Sequence, residues 1–202
     1  TSLSFVISGR AQLHQHWTEL AGLICHISLE PFNLEETKLY LSNQDITDEQ
    51  LAEQIYGDTG GLPVLVELLA ATKPEAGQDL PDISKDAVER FLQWTPDEEK
   101  RRAALLAAVP RQFNRDILIA VLGDDSAKLF NWISAQSYIR MTKERGWFYH
   151  DKVRELMLRH LRNTRPKDVI STHSRLAKYF DLAQEELGLE KRMHTKVRNG
   201  AL

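Results

Sequence analysis

The residues best suited to chemistry are Arg10, the run Gly61-Leu62-Pro63 and the pair His150-Asp151. Arg10 follows the apolar run Leu3–Ser8. Its planar donors can hold two phosphate oxygens at once, but a surface arginine that caps carbonyls or pairs with a carboxylate has the same signature. Gly61-Leu62-Pro63 opens a helix, where proline has no N–H to waste and its ring offers a flat apolar face. On the residues alone it is an ordinary helix start. His150-Asp151 opens another helix. The imidazole is a good donor to phosphate and titrates near neutrality, and Asp151 suits a helix N-terminus. The pair also reads as an N-cap aspartate beside a surface histidine.

Other chemistries find little support. The chain contains no G-x-x-x-x-G-K-[ST] loop to cradle phosphates, and no acidic residue ends an early apolar strand where it could hold Mg²⁺. There is no G-x-S-x-G nucleophile motif. His14-x-His16 has metal-ligand types but no third ligand converging in sequence. Cys25, the single cysteine, sits in an apolar run without a flanking cation and is expected to be buried in the core. Trp94, Trp132 and Trp147 are expected to serve the core or contacts between domains. The stretch as given is expected to be catalytically inert.

The elements that must position these residues divide by charge. Residues 1–96 hold 5 Lys and Arg against 15 Asp and Glu, whereas residues 97–165 hold 14 against 9. The change of sign near residue 96 suggests a boundary there and an electrostatic contact between the halves. One cysteine excludes an internal disulfide and suits a cytoplasmic setting. No apolar run is long enough for a bilayer, and Thr1–Arg10 has no signal-peptide pattern.

Leu3–Ser8 and Leu23–Ile27 read as short strands. Two such strands make no stable sheet, which suggests a chain cut from something larger, with its sheet upstream. Four helix signals follow. Asn33 and Glu36 have capping-box spacing, as do Thr47 and Gln50. Gly57, Gly60 and Gly61 punctuate the chain, and Pro63 starts a helix with Leu62, Leu65, Val66 and Leu69 on one face. Residues 73–82 read as a polar loop, then Val88, Phe91 and Leu92 mark a fourth helix. Thr95-Pro96-Asp97-Glu98 supplies a cap, a first-turn proline and a capping-box glutamate for a fifth. That helix stops at Pro110. Asn114 and Gly123 bound the next, and Ser126 opens another. Tyr138–Thr142 and Trp147–Tyr149 form a hairpin around a four-residue turn with Gly146, and a helix resumes through Val153, Leu156, Met157 and Leu161. Helix–helix–helix–hairpin–helix is the order of a winged helix. A last helix runs from about Pro166 to Leu187 with a stripe of Val169, His173, Leu176, Phe180, Ala183 and Leu187. The tail from Gly188 reads as frayed.

This order resembles the signal-transduction ATPases with numerous domains (STAND class, with AAA+-like cores), which include the NB-ARC proteins of plant immunity and apoptosis. The resemblance covers roughly residues 1–165. It rests on Ile7-Ser8-Gly9-Arg10, on Ile27 to Thr37, on Gly60-Gly61-Leu62-Pro63 and on Phe148 to Arg154. The family's core strand ends in an arginine, a helical lid carries Gly-Leu-Pro, and a His-Asp pair follows the wing. Methionine usually precedes that histidine; here Tyr149 does. The resemblance implies that Arg10 senses the terminal phosphate, that Pro63 packs on adenine, and that His150 bonds the β-phosphate of ADP and holds a closed state. It implies ADP or ATP, with Mg²⁺, in an intact parent, and a P-loop core upstream as the partner of this chain.

The expected architecture is mainly α. Residues 1–30 are the end of an α/β core, 31–95 a four-helix lid, 96–163 a winged helix with a hairpin, and 164–202 a linking helix and tail. The expected function is the regulatory part of an ATP/ADP switch that opens on nucleotide exchange and then self-assembles, with helical repeats downstream as another possible neighbour. An alternative is a DNA-binding winged helix using Arg140, Lys143 and Arg145 on its wing. Its third helix, Ser126–Gln136, is poor in base-reading side chains. A non-catalytic interaction adaptor is the other alternative.

Overall fold

The computed structural model describes residues 5, 6, 17, 22–25, 27, 29–95, 97–123, 127–144 and 146–198. Of Ala127 and residues 189–198 it describes the backbone alone. The described chain is mainly helical, with one two-stranded antiparallel sheet. None of its helices is long and apolar enough to cross a membrane.

The two early strands do not form where the chain is described. Phe5 and Val6 are exposed and lie in no strand, Gly22 and Leu23 make a 3₁₀ turn, and Ile24, Cys25 and Ile27 are not in a strand. A short strand without hydrogen-bonded neighbours has nothing to hold it. Cys25 is consequently exposed rather than in a core. Arg10, His14 and His16 lie outside the described residues.

Four helices come first: α1 (Leu34–Ser42), α2 (Glu49–Thr59), α3 (Pro63–Ala71) and α4 (Ser84–Leu92). The capping box of α1 is complete: Glu36 N–H donates to Asn33 Oδ1 at 2.9 Å, and Asn33 N–H to Glu36 Oε2 at 2.8 Å. In α2 the cap is Asp48, which accepts from Leu51 N–H at 2.8 Å, not the expected Thr47. A carboxylate answers the helix dipole better than a hydroxyl. Gly57, expected as punctuation, is inside α2. Leu41, Ile55, Leu65, Val66, Leu69 and Ala87 bury themselves together between these helices.

The second group is α5 (Glu98–Ala107), α6 (Arg115–Leu122), α7 (Ala127–Ser134), the hairpin β1 (Ile139–Thr142) and β2 (Gly146–Tyr149), and α8 (Asp151–Thr164). Asp97 rather than Thr95 caps α5, accepting from Glu99 and Lys100 N–H groups. Thr95 is buried, whereas Asp97 is exposed at the helix end. Gly146 belongs to β2, opposite Thr142, at φ 69°, so it lies in the strand and not in the expected four-residue turn. Phe113 bridges to Trp147 on the edge of β2 away from β1, which widens the sheet by one residue. Under the hairpin, Tyr149 stacks on Tyr138 at 5.5 Å and Phe130 meets Trp147 edge-on at 4.9 Å. Tyr149 Oη donates to Ala104 O at 2.7 Å, so this buried phenol keeps its hydrogen bond. Trp132 and Trp147 pack against this core, but Trp94 is 77% exposed at the end of α4, contrary to expectation.

The two groups share a seam. Leu156 of α8 joins the first core while Val153, Met157 and Leu161 of the same helix join the second, and Leu62 and Phe91 touch both. Arg101 crosses it, donating to Leu92 O and to Glu89, each at 2.8 Å. Arg159 pairs with Asp82 at 3.4 Å. These are contacts of the kind the charge asymmetry suggests.

The last helix, α9, runs from Pro166 to Arg198 and does not fray at Gly188. One glycine costs only about 1 kcal/mol, and good helix formers follow it. Its seated stripe is Val169, Thr172, Leu176 and Tyr179, against α5, α6 and α8. His173 and Phe180, expected on that stripe, are exposed. Each lies one residue, or about 100°, from the seated position.

Candidate functional site

Two of the three chemically suited segments meet in space. The first is the turn from α2 into α3. Gly60 ends α2 in the left-handed conformation (φ 61°), its N–H donating to Tyr56 O at 2.8 Å. Gly61 repeats that conformation (φ 70°). Its carbonyl accepts from Phe32 N–H at 2.8 Å, and its N–H donates to Thr59 Oγ1 at 3.3 Å. A Cβ on Gly61 would stand 1.9 Å from Phe32 O, so only glycine fits. Leu62 is the N-cap of α3 and wedges between the two cores, while Pro63 occupies the first helical position and is exposed.

The second segment is the end of β2. His150 N–H extends the hairpin by donating to Tyr138 O at 2.9 Å, and His150 O accepts the first helical bond of α8 from Arg154 N–H. His150 itself is the N-cap of α8, and its side chain makes no cap bond. The residue before it, Tyr149, is fixed in the core, which sets the direction in which the chain leaves the strand. Asp151 is therefore the first helical residue rather than the cap, and His150 is half-buried rather than on the surface.

A Cβ built on Gly60 would lie 3.8 Å from His150 Cε1 and 3.2 Å from Lys152 Cγ. The double-glycine turn thus abuts the start of α8. His150 Nδ1 is shielded from solvent and has no hydrogen-bond partner. Burial holds the His150 imidazole below its ordinary range. Arg140 and then Lys152 push the same way, and Asp151 partly opposes them. The shift favours the neutral imidazole near neutrality. Lys152 leans towards Glu155 at 3.8 Å. Arg140 lies opposite Phe148 in the ladder, on the side of the hairpin that His150 continues.

Lys152 and Phe32, which complete the junction, carry no role that a local sequence pattern assigns. The Gly-Gly pair was the one available signal, since two consecutive glycines after a helix favour two left-handed residues. Among the described residues no three His, Cys, Asp or Glu side chains group to hold a metal. A shallow hollow lined by Leu68, Asp86, Glu89, Arg90 and Gln93 lies on α3 and α4, formed by none of the residues of this junction.

The junction combines an imidazole nitrogen that is shielded and without a partner, a helix N-terminus without a side-chain cap, and two cations close by, and an uncapped helix N-terminus with cations beside it is a setting that suits an anion. Comparison of the chain with protein-family models, curated proteins and solved structures gave no match.

Proposed function

We propose that the Gly60–Pro63 turn, His150 and the first turn of α8 form one wall of a nucleotide site in a STAND-type ADP/ATP switch. The opposite wall would be a P-loop core. In this reading α1–α4 are the lid, and α5–α8 with the hairpin are the winged helix. The observation that carries it is the approach of Gly60 to His150, two motifs far apart in sequence, so close that a Cβ added to Gly60 would lie 3.8 Å from His150 Cε1. The uncapped N-terminus of α8 fits an anion, and the unpartnered, shielded His150 Nδ1 would reach that anion by turning outward. The exposed ring of Pro63 is free to take a flat base, and Arg140 and Lys152 add charge of the right sign. A Mg²⁺ accompanying the nucleotide would take ligands from the phosphates and from residues beyond this junction.

A diphosphate would hold the two helical groups closed by satisfying His150 and the α8 N-terminus together. Exchange to triphosphate would bias the open arrangement that permits self-assembly. The chain's own part is to bind and orient; phosphoryl transfer would belong to the core. A DNA-reading role has weaker support: Asn131, an exposed polar position of α7, is already engaged by Arg115 at 3.3 Å.

The test follows the imidazole Cε1–H resonances during titration with millimolar ADP. The His150 signal should shift saturably and its pKa should rise, while His160 stays still. One charge-assisted hydrogen bond contributes about 1.5–3 kcal/mol, so His150→Ala in the intact parent should lower ADP retention by roughly ten- to a hundredfold. An unmoved His150 signal, with ADP retention unchanged in His150→Ala, would sink the reading.

A further inference from the structure

The most deeply buried side chain in the seat of α9 is a polar one. Thr172 is fully buried, whereas Val169 and Leu176 keep 8% and 7% of their surface and Tyr179 is half-buried. Thr172 Oγ1 has no hydrogen-bond partner. The other helical threonines with described side chains behave differently. Thr37, Thr59 and Thr164 each donate to the carbonyl four residues back, those of Asn33, Ile55 and His160, at 2.9, 2.7 and 2.8 Å. That back-bond is the ordinary way to satisfy a hydroxyl inside a helix. Without it, the Thr172 hydroxyl loses its water when α9 docks and gains nothing in return. Valine, of the same size and similar helix propensity, would suit a static seat better.

The rest of the seat is thin. Val169, Leu176 and part of the Tyr179 ring supply its apolar contact. Two ion pairs stand beside them, Arg102 with Asp168 at 3.5 Å and Arg165 with Glu98 at 3.1 Å. At least one partner of each is exposed, and such pairs hold weakly. α9 also joins α8 through a single residue. Arg165 leaves the helical region (φ −139°, ψ 59°) and Pro166 starts α9, so rotation about Arg165 can swing α9 as a unit. We propose that α9 is a hinged arm, which leaves its seat on α5, α6 and α8 by turning about Arg165 while α1–α8 stay folded. Thr172 lowers the cost of leaving, because its hydroxyl regains water on release. Docked, the arm covers one side of α5, α6 and α8; released, it uncovers that side. Such a two-state element is biased by anything that binds one state alone. This inference is independent of the nucleotide reading.

The test is the rate at which a thiol placed in the seat reacts with a soluble disulfide reagent. Cys25 is exposed and is removed first by Cys25→Ala. In that background Val169→Cys reports the seat of α9. Val66→Cys, at a fully buried position of α3 in the first core, reports unfolding of the body. Both substitutions are close in size. The seat thiol should react at least roughly tenfold faster than the core thiol, because release needs only a local opening. Low urea should speed the seat thiol less than the core thiol, since local opening exposes less surface than unfolding. Adding Thr172→Val should slow the seat thiol about tenfold, by removing the hydroxyl that docking leaves unpaired. A seat thiol that reacts no faster than the core thiol overturns the proposal, as does an equal urea dependence of the two. A Thr172→Val change that leaves the seat rate unaltered or raises it overturns the role of Thr172 and the proposal with it.

Discussion

Replacing Gly61 by alanine tests the junction at its tightest point. The new Cβ would lie 1.9 Å from Phe32 O and 2.9 Å from Phe32 C, both backbone atoms with no rotamer to escape by. At φ 70° the alanine also carries the left-handed penalty of roughly 1–2 kcal/mol. Moving Phe32 aside breaks its 2.8 Å bond to Gly61 O, a further loss of about 1 kcal/mol. The total is about 2–3 kcal/mol. At roughly 2–4 °C per kcal/mol for a chain of this size, Tm should fall by about 4–12 °C. Differential scanning calorimetry would measure it, and hydrogen exchange should show the Phe32 amide losing protection. Gly57→Ala is the matched control. Its Cβ meets nothing within 4 Å and it sits inside α2, so the same change should stabilise by about 0.5–1 kcal/mol. A Gly61→Ala protein melting within about 2 °C of wild type would refute the steric reasoning. So would a Gly57→Ala protein destabilised as much as Gly61→Ala.

The remaining predictions concern charge and buried polar groups. His150 and His160 are both held below the ordinary imidazole range, first by burial; Arg140 and Lys152 add to this at His150, and Arg165, Lys85 and Arg101 at His160, where Glu89 opposes. The folded state then binds fewer protons than the unfolded one, so stability present above about pH 6.5 is lost as pH falls through the depressed values. Urea midpoints should drop on acidification below pH 6.5, and less steeply in a His150→Gln/His160→Gln protein. Arg101→Met removes the donor to Leu92 O and Glu89 across the seam and should cost about 1–2 kcal/mol by urea denaturation. Tyr149→Phe loses the 2.7 Å bond to Ala104 O and should cost about 1 kcal/mol. Burial, and then Tyr138, raises the Tyr149 phenol well above its usual value. Its stabilisation therefore holds below about pH 10 and is lost as pH rises further. An absorbance titration should show one tyrosine ionising only as the chain unfolds.

Local rules served best where the signal is short-range. Asn33 with Glu36, Pro63 at a helix start and Asn114 with Gly123 at the two ends of α6 are all found at their expected places, because capping depends on atoms within a few residues. Where two caps competed, the residue left outside the core took the role, as with Asp97 over Thr95. Periodicity placed α9 but misjudged its facing. Thr172 and Tyr179 are seated where His173 and Phe180 were expected, because neighbouring positions on a helix differ by only about 100° and the partner decides between them. The strand readings near the N-terminus failed at the described residues for the opposite reason: a strand is defined by a neighbour, and apolar composition does not supply one.

The sequence by itself determined that Gly60 and Gly61 would make a tight turn, that a hairpin would precede a helix, and that His150 would stand at their join. Each of these follows from the conformational limits of a few adjacent residues. Only the tertiary structure decided that the turn and the join would meet, because that depends on α8 sharing its faces between two cores. It also decided that His150 would be shielded and shifted towards its neutral form, since a protonation state is set by burial and by charges brought from β1 and α8, neither of which a local pattern encodes.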